Sequence, residues 1–456
     1  MTALAVAPSA APRAQAAPPA PVARSYRFEL LKLLSQWRVR VLVAVCWLAP
    51  AVFVGVVSRQ SALPSDTVFG RQMHATGWAG ALVVLAFACS WALPLLTALV
   101  AGDVFAVEDR LGTWRHLLVA VRSTRRIFAG KALASATVVL LLVIGLAVSG
   151  LVGGLVSAGD RPLNGLDGYA FSGSEVLGRL VLAWLCVLAP TAAFGAVGLL
   201  GSVVLGRSPM GLVTPAVLAV ALALVQLLPL PLAVRLALPT QAFLAWRGLF
   251  TADPQTGPLA IGVAVALAWA VVATLAARRL FLRRDFTDLA NDGSGRRFLV
   301  GGLLPLAGLT AASVLVVSLV TPAAGSGVAQ ADLERSLATS YGHLYRLQAE
   351  QLHRPAVTEA QLQTTASCDK GGSLVVDEGP GNDWRCVVTW HLPGATAVGS
   401  AVYQLDVAPD GRYVADGDGP AEVNGFFQVR TPSGDAPNPL WQLDGLVDLL
   451  PPLRKD

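Results

Sequence analysis

One short segment gathers most of the side chains that could do chemistry between the apolar parts of this chain. It reads Glu108-Asp109-Arg110-Leu111-Gly112-Thr113-Trp114-Arg115-His116, then Ser123-Thr124-Arg125-Arg126, then Lys131. Val104, Val107, Leu111, Trp114, Leu118 and Val121 recur around it at spacings of three and four, the beat of one helix face. This predicts a single amphipathic helix over about 104–121. Its apolar face must lie on a bilayer or on neighbouring helices. Its charged positions, Glu108, Asp109, Arg110, Arg115 and His116, would face water or a protein partner. That is chemistry for docking, with no nucleophile and base paired for bond cleavage.

Other candidates carry less. Ser90, Ser149 and Ser202 have no partner base and read as packing hydroxyls. Asp416-Gly417-Asp418-Gly419 begins like a calcium loop, but the later ligand positions do not follow, so it reads as a turn. His343, His353 and His391 show no metal-ligand spacing. The chain has no G-x-x-x-x-G-K-[ST] segment and so no P-loop of its own. Cys368 and Cys386 stand 18 positions apart; an oxidising compartment would let them pair, and the other reading is two buried thiols.

The elements that must position these residues are membrane helices. Apolar stretches run over Val41–Val57, Ala79–Ala101, Leu133–Val156, Val176–Leu205, Gly211–Val234, Leu259–Leu280 and Leu299–Val320. About 20 apolar residues in a helix cross the hydrocarbon layer, and in lipid the backbone must satisfy its own hydrogen bonds. The stretches hold no acid or His at mid-depth, which disfavours an ion-coupled carrier. Charge then orients them. The segments before the first stretch and after the second, fourth and sixth carry 19 Lys and Arg, and the opposite short loops carry five. Positive residues stay inside. The chain is therefore expected to be a multi-pass protein of the plasma membrane, with its N-terminus cytoplasmic and its C-terminal domain outside.

Residues 1–24, rich in Ala and Pro, are expected to form a disordered cytoplasmic leader. From Ser25 to Arg38, Tyr26, Leu30, Leu31, Leu33, Leu34 and Trp37 share one face, and Ser25, Glu29, Lys32, Ser35 and Gln36 the other. That predicts an interfacial helix on the inner leaflet. Gly145, Ser149 and Gly153, with Gly150 and Gly154, form small-residue faces for packing within the subunit or for a dimer contact. Leu232 to Phe250, broken by Pro239, reads either as re-entrant or interfacial helices or as a packed loop. Residues 285–298 form a cytoplasmic linker and 299–321 a seventh span.

The balance of charge changes after that span. Residues 1–321 hold 25 Lys and Arg against 12 Asp and Glu; residues 322–456 hold 9 against 17. No basic stretch interleaves with aromatics as a strand-binding groove would, so nucleic acid is not an expected partner. Residues 322–456 should form a small extracytoplasmic α+β domain. It would have a helix over Val328–Leu352 and strands at Ser373–Val376, Trp384–Leu392, Ala401–Val407, Arg412–Val414 and Glu422–Val429.

The segment Glu108, Gly112, Thr113, Leu117, Leu118, Thr124, Arg125 and Lys131 resembles the cytoplasmic loop of type-2 ABC exporter permeases. That family's turn commonly has Pro before the Ser/Thr-Arg step, where this chain has Val121-Arg122. The resemblance covers about residues 24–284. It implies a six-span helical bundle with an amphipathic elbow helix, here extended by the seventh span and the outer domain. It implies a coupling helix at about 104–121 that docks on a separate ABC ATP-binding subunit through Glu108, Gly112, Thr113, Trp114 and Arg115. ATP and Mg would then sit on that partner, with no cofactor and no catalytic residue on this chain. A second permease copy or a homologous permease would complete the pore. The cargo implied is hydrophobic or amphiphilic. A rival expectation is a membrane-anchored scaffold that presents the outer domain in an envelope or secretion complex.

Overall fold

The structure is a computed structural model of the 456-residue chain. It describes residues 21–60, 63–64, 66–206, 209–286, 293–321, 325, 327–372, 376–419, 425–432 and 434–450. The leader up to residue 20 lies outside these residues.

Among the described residues, six helical segments are long and apolar enough to cross a membrane: Trp37–Val57, Gly77–Leu111, Thr124–Ala158, Gly173–Val204, Gly257–Leu282 and Gly295–Leu319. The fifth predicted stretch differs. It yields the helix Met210–Gln226, 17 residues long and so ~26 Å at the α-helical rise. The chain leaves the helix at Leu227, just before Pro229 and Pro231, which cannot continue it.

The chain begins with α1 (Val22–Ser35), breaks at the extended Gln36 and continues as α2 (Trp37–Val57). The second span is α3 (Gly77–Phe87), a π-helical turn at Ala88–Ala92, and α4 (Leu93–Ala101). Pro94, lacking an N–H, sits in the first turn after the wide segment. Two short helices follow, α5 (Ala106–Leu111) and α6 (Trp114–Val121), before the 35-residue α7 (Thr124–Ala158). A two-residue hairpin, β1 (Leu163–Asn164) with β2 (Ala170–Phe171), precedes α8 (Gly173–Val204).

Next come α9 (Met210–Gln226), the short α10 (Leu232–Leu236) and α11 (Ala242–Ala245), and a 3-10 turn at Trp246–Phe250. Leu236, Ala242, Trp246 and Phe250 are fully buried, so the segment from Leu232 to Phe250 is a packed layer of short helical pieces. Then come α12 (Gly257–Leu282), α13 (Gly295–Phe298), a second π-helical turn at Leu299–Leu303, and α14 (Leu304–Val320). The last span thus starts at Gly295, inside the expected linker.

Helix α7 is the centre of the first half of the bundle, and its small residues explain why. A Cβ placed on Gly153 would stand 2.5 Å from Ala51 Cα, and one on Gly154 would stand 2.1 Å from the Gly77 carbonyl oxygen. The Ala51 N–H donates to Ser149 Oγ at 3.0 Å. The four-residue repeat of small residues is therefore used inside the chain, with α2 on one edge and α3 on the other.

The C-terminal domain has its own core. Helix α15 (Gln330–Gln351) buries Leu333, Leu337, Tyr341 and Leu344 against a five-stranded antiparallel sheet. The described strands of that sheet are β3 (Thr365–Lys370), β4 (Gly381–His391), β5 (Val398–Val407), β6 (Arg412–Gly417) and β9 (Gln442–Leu446), paired in that order. The short α16 (Glu359–Leu362) leads into β3, and β7 (Gln428–Thr431) pairs β8 (Gly434–Pro437) as a separate ribbon. Trp384, Cys386 and Val388 alternate onto the inner face of β4, as expected for a half-buried strand. Of the predicted strand Ser373–Val376, residues 373–375 lie outside the described residues; the first described strand of the sheet is β3, which the sequence reading lacks. Residues 422–424 of the last predicted strand lie outside them too. Asp416 and Gly417 end β6 rather than forming a turn. Cys368 and Cys386 are directly opposed partners of β3 and β4 and form a disulfide, Cα–Cα 4.0 Å.

The domain sits on the bundle end remote from α5 and α6. Leu232, Leu236 and Val317 share its apolar core. Burial pushes the Tyr413 hydroxyl up to about 12, so it stays protonated between Ser336 Oγ (3.1 Å) and Ser340 Oγ (3.4 Å).

Candidate functional site

Three acids lie close together where α4 gives way to α7: Asp103, Glu108 and Asp109. Each is buried. A carboxylate taken out of water must find cations and donors, or burial would cost several kcal/mol. Each finds them on a different helix.

Glu108 is the centre of the first group. Its Oε1 receives Lys131 Nζ of α7 at 2.8 Å and also pairs with Lys32 of α1. Its Oε2 accepts from the Thr113 hydroxyl. Lys131, itself buried, reaches Glu29 Oε2 of α1 at 2.9 Å and the Val104 carbonyl at 3.3 Å. Two carboxylates and two ammonium groups thus lock α1, α5 and α7 together with no net charge. Asp109 makes the second group. It accepts Trp114 Nε1 at 2.8 Å and pairs with Arg284, just past α12, at 3.0 Å and through a second guanidinium nitrogen. The Arg284 guanidinium stands 5.4 Å from the Trp114 ring and 5.3 Å from the Phe286 ring, within cation–π range. Phe105, Trp114, Phe128 and Phe281 pack around it with centroids 5.1–6.4 Å apart. Asp103 makes the third group, bonding Arg38 of α2 at 3.1 Å and Arg110. The turn from α4 to α7 is therefore fastened to α1, α2, α7 and the end of α12.

This geometry corrects two expectations. The single helix over 104–121 is two helices. Gly112 at φ +65° ends α5 in the left-handed region, and Thr113, whose N–H returns to the Glu108 carbonyl at 3.1 Å, opens α6. Glu108 and Asp109 point into the protein rather than toward water. Helix α1 buries residues from both of its expected faces, Ser25 and Glu29 with Leu33, while Phe28 and Leu31 are exposed and Glu29 reaches Lys131 of α7.

Of the five residues expected to meet a partner, Glu108 and Trp114 are enclosed, Thr113 is half-buried, and Gly112 and Arg115 are on the surface. The outward edge of the two helices is Arg110, Leu111, Gly112, Arg115, His116 and Val119, with Leu111 65% and Val119 72% exposed. Sequence periodicity singled out neither Asp103 nor Arg284. Their signal, a lone acid ending an apolar stretch and an Arg pair following another, gains meaning only when the two meet.

The opposite end has a second set of contacts. The turn Pro409-Asp410-Gly411, with Gly411 at φ +84°, joins β5 to β6 and meets the short helical pieces between α9 and α12. Arg235 donates to the Pro409 carbonyl and Arg247 pairs with Asp410. Arg71 pairs with Asp444 of β9. His343 of α15 bonds the Asp167 carbonyl through Nδ1 at 2.7 Å. Among the described residues, no group of three or more His, Cys, Asp or Glu could hold a metal ion.

No protein-family model matches this chain, and no curated protein matches it.

Proposed function

We propose that this chain is the membrane subunit of an ATP-driven exporter of the type-2 ABC class, worked by a separate ATP-binding subunit that carries ATP and Mg. The observation that supports this most is the fastening of Glu108. A partner pressing on the exposed edge from Arg110 to Val119 moves α5 and α6. Lys131 and Lys32 then carry the displacement to α7 and α1, Arg284 to α12, and Arg38 to α2. A contact that differs between two states of the partner is thereby felt by four helices at once.

In this reading the basic end is cytoplasmic, following the 19 Lys and Arg found on that side, and the sheet domain lies outside the plasma membrane. The surface contact is carried by Gly112 and Arg115, with Arg110 and Leu111 beside them. Glu108, Thr113 and Trp114 act behind it as positioning residues. The cargo is hydrophobic or amphiphilic, and a second permease, the same or homologous, completes the pathway.

The test is co-purification with a P-loop subunit encoded nearby, followed by ATPase and export assays. Arg115→Glu should weaken capture of the subunit while the purified chain melts at an unchanged temperature. Glu108→Gln should keep capture and lose export. Full export by both variants would end the proposal.

The scaffold reading draws support from one feature. Phe426 and Phe427, beside the β7–β8 ribbon, are each more than 60% exposed, an aromatic pair suited to a protein partner. Export that survives removal of the P-loop subunit, together with function lost on Phe426→Ser, would favour it.

A further inference from the structure

Two adjoining cavities open along the side of α2. The first, about 230 Å3, lies at the basic end between the break at Gln36 and the end of α4; Arg38, Asp103 and Val107 are among its walls. The second, about 390 Å3, continues toward the middle of the bundle between α2 and the α3–α4 span; Val45, Phe53, Phe87, Trp91 and Leu95 line it. Leu42 and Leu99 belong to both. From Arg38 to Phe53 the groove follows α2 for ~22 Å, more than one leaflet of hydrocarbon.

Its two ends differ in character. At the mouth, one buried carboxylate, Asp103, is shared by two guanidiniums, Arg38 and Arg110, which are 50% and 38% exposed. The group has one positive charge in excess, and its half-exposed Arg38 lines the mouth of the groove. Beyond Leu42 the walls are apolar side chains alone. The π-helical turn at Ala88–Ala92 makes the second span irregular there, opposite Pro50 of α2, and such turns recur at functional sites. Trp91, 59% exposed, stands at the open edge of the far end.

We propose that this groove binds one anionic amphiphile taken from the leaflet at the basic end. Its headgroup rests on Arg38, with Arg110 adding positive charge from across Asp103, and its chain lies between α2 and α4. The charge excess selects the anion, and the continuous apolar wall selects a chain rather than a compact solute. The binding step stands on the geometry alone; the role of the amphiphile as cargo rests on the exporter reading. Because Asp103 also ends the span that leads into α5, a headgroup drawing Arg38 or Arg110 away from it would alter the same fastening on which that reading depends.

The test uses the full chain in nanodiscs of phosphatidylcholine, without any ATPase subunit. The probe is a long-chain alkyl phosphate with a diazirine on its chain; the control has the same chain on phosphocholine. The expected result is saturable labelling by the phosphate at Leu42, Val45 and Leu95, competed by unlabelled alkyl phosphate and weak for the control. Arg38→Gln should lower apparent affinity about tenfold, the loss of roughly one charge-assisted contact. Ala49→Trp, which fills the groove from its open side, should abolish saturable labelling. It serves as the second variant should Arg38→Gln fold poorly. Equal, non-saturable labelling by both probes would mean bulk lipid against an exposed face and would overturn the proposal. So would a disulfide between two copies of a Val45→Cys variant, which would place a second subunit there. Failure here leaves the exporter reading standing, and absence of an ATPase partner leaves the binding result standing.

Discussion

Both ends of the bundle are held by buried charge, but in different ways. At the basic end, Glu108 and Lys131 are enclosed within a single packed core, and their partners come from helices of the bundle itself. At the other end, arginines of the bundle reach out to a domain that has its own core and its own disulfide. The first arrangement ties helices to one another and leaves no part free to separate. The second joins the bundle to a domain through polar contacts and through Leu232, Leu236 and Val317, which enter that domain's core. The difference separates a junction made within one packed core from a junction made largely by side chains reaching across to a second core.

The largest test of that contrast is Lys131→Met. It strands Glu29 and Glu108 in a buried site with only Lys32 between them, and breaking such a pair costs about 3–5 kcal/mol. The whole bundle should melt earlier in a detergent thermal scan. Lys131→Met with Glu108→Gln should recover much of the loss, because the stranded charge is reduced. If the single variant melted normally, the fastening would have no mechanical meaning.

Cys386→Ser comes next. Opening an 18-residue loop removes about 3 kcal/mol in the chain-entropy model. Limited proteolysis should then cut the sheet domain while the helices stay protected; cleavage spreading through both would show one cooperative body. A smaller effect is expected for Arg247→Ala and Asp410→Ala, a half-buried pair worth about 1–3 kcal/mol. Each variant, and the two together, should raise hydrogen exchange in Trp246–Phe250 and at Pro409-Asp410-Gly411 by a similar amount, without altering α15. The smallest is Arg335→Ala. Its pair with Asp332 is exposed, and the change should stay below about 0.5 kcal/mol in a denaturant melt. A larger loss there would mean that the domain surface bears load the present contacts do not account for.

The apolar spans were legible because lipid leaves a helix no alternative, and α15 because its buried residues keep strict helical spacing. The fifth stretch was overextended across Leu227–Val234, although Pro229 and Pro231 mark its end. The break in the loop helix was hidden by a spacing of three and four that runs unchanged through Gly112. The glycine was the available signal, since a left-handed residue ends a helix whatever the pattern beyond it. Burial of Glu108 and Glu29 was not legible at all. Their common cation, Lys131, lies 23 and 102 positions away, and a helical wheel assigns every acid to the water side. The strand β3 was missed for the same reason: its identity comes from pairing with β4 through Cys368 and Cys386, not from its own composition.

The glycine seam of α7 sets how this protein can vary. With α2 seated against Gly153 and α3 against Gly154, the helix behaves as a shared keel to which two neighbours are joined with no side chain between. A single added methyl at either position would displace a whole neighbouring helix. Tolerance to substitution along α7 should therefore rise and fall with a four-residue beat. The outward positions Leu140, Ile144, Val148 and Val152, all exposed, would accept any apolar residue that lipid accepts.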